Sequence, residues 1–158
     1  MKRSIRTTAL IAFLVLVSCG ASDFASQLRV ILAASDPLIE SLNLGDKKAA
    51  VVQDFADLAQ GAATLSDDLK ACADKPCKLN AVDRFQIRFF DIQRRGHFKL
   101  SPKLQNIEGI LQGIIAAAKV YYGPQRPAVA TAGPVPAPNP EKQLNDRLAE
   151  LKAAMRVQ

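Results

Sequence analysis

The residues best suited to chemistry are a single histidine, His97, and a group of aspartates on one long segment. His97 follows Gly96 among basic residues, and the sequence beside it offers no obvious acid to orient its ring for acid–base catalysis. The aspartates, expected on the solvated outer side of a helix, are Asp54, Asp57, Asp67 and Asp68. Phosphate-binding glycine loops, nucleophile elbows and metal-binding histidine pairs are missing from the sequence. The sequence therefore predicts no catalytic residue, no metal and no cofactor.

The N-terminal segment has the pattern of an export signal. An uninterrupted apolar run covers residues 9–17, and this is too short for a membrane span, which needs about 20 residues. The basic residues before the run are Lys2, Arg3 and Arg6. A positive start, a short apolar run and a small-residue site, in that order, are typical of a signal peptide. The residues at the end of the run are Leu16, Val17, Ser18 and Cys19.

These last four residues resemble the lipobox of bacterial lipoproteins at every position. The resemblance implies that residues 1–18 are removed and that Cys19 becomes the new N-terminus. It also implies that Cys19 carries fatty acyl chains such as palmitate. Several acyl chains on one cysteine would give durable membrane anchoring, which a single chain does not. Gly20 follows the cysteine, whereas an aspartate there is the family's usual signal for inner-membrane retention. The resemblance therefore implies an outer-membrane lipoprotein facing the periplasm, where the host has two membranes.

Two cysteines, Cys72 and Cys77, remain after Cys19 is assigned to the lipid. Outside the cytoplasm, a close pair of this kind indicates a disulfide. Haem attachment requires a closer pair followed directly by histidine, but Lys78 follows Cys77, and a zinc site requires four ligands. We therefore predict a structural disulfide that stabilises the fold by about 2 kcal/mol.

The charge of the mature chain is modest. Removal of residues 1–18 takes away three bases and no acid, which lowers the formal net charge from +6 to +3. The basic isoelectric point therefore belongs largely to the signal, and no nucleic-acid partner is expected. The chain lacks tryptophan and has two tyrosines, which disfavours a carbohydrate site built on stacked aromatic rings.

The mature chain has the apolar period of helices. Three successive segments place apolar or small residues at alternating steps of four and three, which predicts stripes that pack as an all-α antiparallel bundle of about four helices. The first segment contains Val51, Phe55, Leu58, Ala62, Leu65, Leu69 and Cys72. The second contains Val82, Phe85, Phe89 and Ile92, and the third Leu104, Ile107, Leu111, Ile114, Ala118 and Tyr121.

Turn-forming residues set the expected ends of these helices. We expect a first helix from about Ser22, broken or kinked at residues 35–37, and a second from about Asp46 to Ala73. A third is expected from about Leu79 to Arg95, closed by Gly96. A fourth opens at Ser101-Pro102 and stops at Gly123-Pro124.

The C-terminal part differs in composition from the bundle, which we place in residues 19–123. Residues 124–139 are rich in proline and alanine and contain no Leu, Ile or Phe, so they are expected to form an extended linker. Residues 140–158 predict a short amphipathic helix, marginally stable alone, whose apolar edge suits a partner groove. That edge contains Leu144, Leu148, Leu151 and Met155. Truncation after Tyr122 is then expected to leave stability nearly unchanged.

The most basic stretch covers residues 84–103, from the second apolar segment to the start of the third. Its candidate contacts for an anion or a partner are Arg84, Arg88, Arg94, Arg95 and Lys99. The alternative is a solvated basic face in which Asp91 pairs with Arg95 near the helix end. Among the nearby aromatic residues we expect Phe85 and Phe89 in the core, with Phe90 and Phe98 exposed.

These features predict a lipid-anchored, non-catalytic envelope protein that binds a partner or serves as a scaffold. The partner would be an envelope protein or an anionic envelope polymer. A different hypothesis is a helical carrier of an apolar ligand, which a cavity lined by Phe55, Phe89, Ile107 and Leu111 would favour. An enzyme is the third hypothesis, and His97 in a pocket beside a carboxylate would support it.

Overall fold

The computed structural model describes residues 23–124 and 139–156, and these residues form helices and no strand. The predicted all-α fold is confirmed. The helices are α1 Phe24–Ala33, α2 Asp36–Glu40, α3 Lys48–Ala71, α4 Lys75–Arg94, α5 Pro102–Tyr122 and α6 Pro140–Ala154, with 3-10 turns at Gly45–Lys47 and His97–Leu100. The signal with Cys19 and most of the proline-rich linker lie outside the described residues.

Three helices begin at a side-chain cap of the type that the sequence favours. Asp74, Ser101 and Asn139 each accept a backbone N–H of the first turn of α4, α5 and α6, and a proline lies at the first or second helical position. The expected start of the third helix near Leu79 is wrong by one turn, because Asp74 caps the helix earlier. The prediction that Asp46 begins the second helix is wrong, because Asp46 lies in a 3-10 turn before α3 and makes no capping hydrogen bond.

The α3–α4 turn contains the predicted disulfide. Cys72 and Cys77 are joined, with their Cα atoms 5.5 Å apart. The turn between the two helices is only three residues long. The disulfide therefore links the end of α3 to the first turn of α4.

The helices form a closed circuit around one core. α3 packs against α1 and α4, α4 against α5, α5 against α6, and α6 against α1. Ser26 lies beside Ser66, and Asp83 on α4 pairs with Lys119 on α5, so successive neighbours among α1, α3, α4 and α5 run antiparallel. The core includes apolar residues of all five long helices.

The C-terminal helix is part of this bundle. Leu144, Leu148 and Leu151 are 0–3% exposed, and Met155 is also buried. Arg147 lies across Gly113 of α5, where a Cβ atom would come within 3.2 Å of its Nε. The prediction that these four apolar residues are free to bind a partner is therefore wrong, because they fill the space between α5 and α1. A chain truncated after Tyr122 should lose stability instead of retaining it.

Substitution within α6 tests this packing. Leu148→Ala should lower the free energy of unfolding by about 2–4 kcal/mol, because it removes a fully packed side chain and leaves a cavity. The matched control is Asn145→Ala on the exposed side of the same helix, which should change stability by less than about 0.5 kcal/mol. Urea unfolding followed by circular dichroism measures both. Equal, negligible effects would show that α6 does not pack on the bundle.

Candidate functional site

A buried carboxylate, Asp54, organises the polar contacts between α3 and the turn that leads into α5. Its side chain is 3% exposed, and both oxygens accept hydrogen bonds. Arg95 donates from Nη1 to Oδ1 at 2.8 Å, and His97 contacts Oδ2 through Nδ1 at 2.7 Å. A buried charge with both oxygens bonded is far less costly than an unpaired one.

Arg95 also joins a second carboxylate of α3 to this group. The same Nη1 donates to Oδ2 of Asp57 at 2.7 Å, and Gln53 donates to Oδ1 at 2.8 Å. The hydrogen bond from Arg95, followed by that from Gln53, holds the pKa of Asp57 below its ordinary value of 3.8. Asp54, Asp57, Arg95 and His97 together are called the Asp54 cluster below.

The backbone after α4 positions the two bases of the Asp54 cluster. Gly96 has a φ of +79°, a left-handed conformation that glycine adopts without strain, and it turns the chain immediately after Arg95. Phe98 then points into the core, with its ring centroid 6.0 Å from that of Phe55 and 6.2 Å from that of Phe89. At this corner, therefore, Arg95 and His97 pair with Asp54, and the adjacent Phe98 packs in the core.

Several expectations for these residues are wrong. Asp54 is buried and not solvated, His97 has an acid partner, and Phe98 is 3% exposed. Asp91 pairs with Arg94, while Arg95 reaches across to α3. The sequence did contain a signal for Asp54. It lies three residues after Val51 and four before Leu58, at the edge of the apolar stripe.

The expected aromatic core residues and one exposed ring are confirmed. Phe85 and Phe89 are buried, while Phe90 is 41% exposed. Two further apolar side chains that sequence reasoning missed are also exposed, namely Ile87 at 62% and Leu100 at 44%. Ile87 and Phe90 lie three residues apart on the outer side of α4, and Leu100 ends the following 3-10 turn.

The candidate basic residues do not form one uniform patch. Arg84 pairs with Asp68 of α3, and Arg94 pairs with Asp91 one turn away. Arg88 packs its aliphatic stem over Gly61, where a Cβ atom would come within 2.9 Å of its Cδ. Lys99 lines a shallow cleft with residues of α5, among them Glu108 and Gln112. Ion pairs with acids of α3 and α4 therefore neutralise much of the expected anion-binding surface.

The Asp54 cluster has limited means for catalysis or metal binding. A histidine oriented by a carboxylate can act as a base, but no serine, threonine or cysteine of the described residues is hydrogen-bonded to His97. Residues 23–124 and 139–156 contain no group of three or more His, Cys, Asp or Glu side chains that could hold a metal. The geometry instead fits an electrostatic contact that holds the corner between α4 and α5 on α3.

Comparison of the chain with protein-family models, curated proteins and solved structures finds no match. Among the helices that the structure describes, none combines the length and apolar character needed to cross a bilayer. Functional inference therefore depends on the residues of this chain alone.

Removal of the central carboxylate tests the role of the Asp54 cluster. Asp54→Asn should lower the free energy of unfolding by about 1–3 kcal/mol, because the buried carboxylate that accepts from Arg95 and His97 is lost. Asp67→Asn, on the exposed side of the same helix, should stay within about 0.5 kcal/mol of the parent. Denaturant unfolding at neutral pH provides both values. If Asp54→Asn proved as mild as Asp67→Asn, the cluster would not hold the corner.

Proposed function

We propose that the protein is a lipid-anchored module of a bacterial cell envelope that binds a partner without catalysing a reaction. The observation that carries this proposal is the N-terminal sequence, in which a basic start and a short apolar run lead to Leu16-Val17-Ser18-Cys19. Cys19 lies only five residues before Phe24, the first residue of α1. A bundle that begins so close to an acylated cysteine would stay at the membrane surface, on the periplasmic side of an outer membrane.

The packing of the bundle supports a binding role over a carrier role. The carrier hypothesis requires a cavity among Phe55, Phe89, Ile107 and Leu111, and these side chains are 0–1% exposed. The ring of Phe98 packs against both Phe55 and Phe89 in this region. Neither of the two surface clefts described for the protein is lined by any of the four residues.

The polar groups of the Asp54 cluster likewise favour a structural role over an enzymatic one. Arg95 and His97 each use Asp54 as acceptor, and the carboxylate has both oxygens occupied. A catalytic histidine also needs a substrate site next to it. The two clefts are lined by other residues, on the α5 side near Gln105 and on the α1 side near Arg29.

We place the partner surface on the outer side of α4 and the adjoining 3-10 turn. Ile87, Phe90 and Arg94 follow one another at steps of three and four, so they share one side of the helix. Leu100 and Lys99 add a second exposed apolar and basic pair. Exposed aromatic and arginine side chains at such spacing are typical of residues that anchor a protein interface. The surface therefore suits an envelope protein with an apolar, acidic face.

Substitution of the acylated residue tests the anchor. Cys19→Ser should abolish incorporation of labelled palmitate and release the protein from the membrane fraction, because the serine hydroxyl cannot replace the thiol that receives lipid. Unchanged labelling and unchanged membrane retention would remove the lipoprotein proposal.

Crosslinking in native envelopes tests the partner surface. The double variant Phe90→Ser, Arg94→Ser should lose most of the crosslinked partner recovered with the parent protein, while its folding stability stays within about 1 kcal/mol because both side chains are exposed. The matched control is Val30→Ser, which changes an exposed apolar residue of α1. Equal recovery with both variants would show that the partner binds elsewhere. Recovery of an anionic polymer instead of a protein would show that the partner is not an envelope protein.

A further inference from the structure

The two ends of the bundle differ in their relation to Cys19. Phe24 at the start of α1 lies against Tyr122 at the end of α5, with ring centroids 6.3 Å apart. Ser26 contacts Ser66 near the end of α3, and Arg84 of α4 pairs with Asp68 there. The start of α1, the α3–α4 turn and the end of α5 therefore lie at one end, called the disulfide end. The Asp54 cluster lies at the opposite end.

The length of chain before α1 limits how far the bundle can move from an anchored Cys19. Cys19 and Phe24 are separated by five residue-to-residue steps, which span at most about 18 Å when fully extended. Helix α3 has 24 residues and is therefore about 36 Å long. A chain of this length keeps the disulfide end near the membrane and lets the opposite end point away from it.

Three lysines around the disulfide lack carboxylate partners, unlike Arg84, which pairs with Asp68. Lys70, Lys75 and Lys78 flank the disulfide, and none of them takes part in an ion pair within the described part of the chain. Asp74, the acid within this turn, accepts the backbone N–H of Cys77 as the cap of α4. Residues 70–78, which contain this turn and the adjoining helix ends, therefore have a formal net charge of +2, from three lysines and one aspartate.

At the opposite end, several bases form ion pairs, whereas Lys99 and Lys103 take part in none within the described part of the chain. Lys47 pairs with Asp46, Lys48 with Glu40, and Arg95 with two aspartates of α3. The disulfide end also contains Asp23 and Asp67, so its positive character is confined to the turn. Three lysines without ion pairs, at the helix ends beside one short turn, match a surface of phosphate groups, which attracts basic residues within a Debye length.

We propose that the disulfide end of the bundle rests on the anionic phospholipid headgroups, with Lys70, Lys75 and Lys78 in contact with phosphate. This inference depends on the proposed lipid anchor at Cys19. The bundle then stands on the membrane with the Asp54 cluster, Phe90 and Arg94 farther from it. That orientation presents the outer side of α4 to partners beyond the membrane surface.

Energy transfer from a labelled residue to a membrane dye tests the orientation. The lipidated protein is labelled through Asn80→Cys at the disulfide end or Asn106→Cys at the other end, since both asparagines are exposed. The introduced thiol is the one that reacts, because Cys72 and Cys77 are joined and lipid occupies Cys19. In vesicles of phosphatidylethanolamine and phosphatidylglycerol, transfer should be about twofold higher from position 80, which lies roughly 20 Å closer to the membrane along the bundle axis.

Lysine replacements and detection of lipid on Cys19 show whether the anchor, the orientation or the phosphate contact is wrong. Replacement of Lys70, Lys75 and Lys78 by Gln should reduce the difference in transfer, while replacement of Lys47, Lys48 and Lys103 should leave it unchanged. Equal or reversed transfer from positions 80 and 106, with lipid on Cys19 detected by mass spectrometry, overturns the orientation but not the anchor. Absence of lipid on Cys19 overturns both proposals. A difference that survives loss of the three turn lysines overturns their contact with phosphate.

Discussion

The closure of the helical circuit by α6 is the constraint on which the rest of the structure depends. α5 presents apolar residues over more than one side, since nine of its residues are buried, and α4 alone does not cover them. Gly113 faces Arg147 of α6, and Ile110 and Ala117 lie on the same side of α5 because they are three and four residues away. Without α6, that side of α5 and part of α1 would face water. A 15-residue helix is marginal alone, so α6 and the bundle stabilise each other.

Much of the fold follows from local sequence signals. The apolar steps of three and four predict α3, α4 and α5, and Ser101, Gly96 and Asn139 mark helix ends through capping and turn chemistry. The role of α6 was not predicted, because four apolar residues on a short helix fit a foreign groove as well as the protein's own. The signal that distinguishes the two lies in α5, where Ile110 and Ala117 widen the apolar stripe beyond what one neighbour covers.

The Asp54 cluster shows why the site was harder to predict than the fold. Asp54 and His97 are 43 residues apart, and no local pattern connects them. Their contact depends on the antiparallel packing of α3 and α4 and on the turn at Gly96. Spacing along the helix places Asp54 at the edge of the core, but it does not reveal which base reaches it. Long-range ion pairs of this kind follow from the tertiary arrangement.

The same packing decides which surfaces are left for function. The apolar edge of α6 is used within the fold, and two of the three arginines of α4 pair with acids. The outer side of α4 with Ile87 and Phe90 remains exposed. The direct measurement of the central structural claim is amide hydrogen exchange of the full mature chain. Closure by α6 predicts that the amides of Leu148 and Leu151 exchange as slowly as those in the middle of α5. Exchange of these amides at the rate of an unfolded peptide, while α5 stays protected, would contradict it.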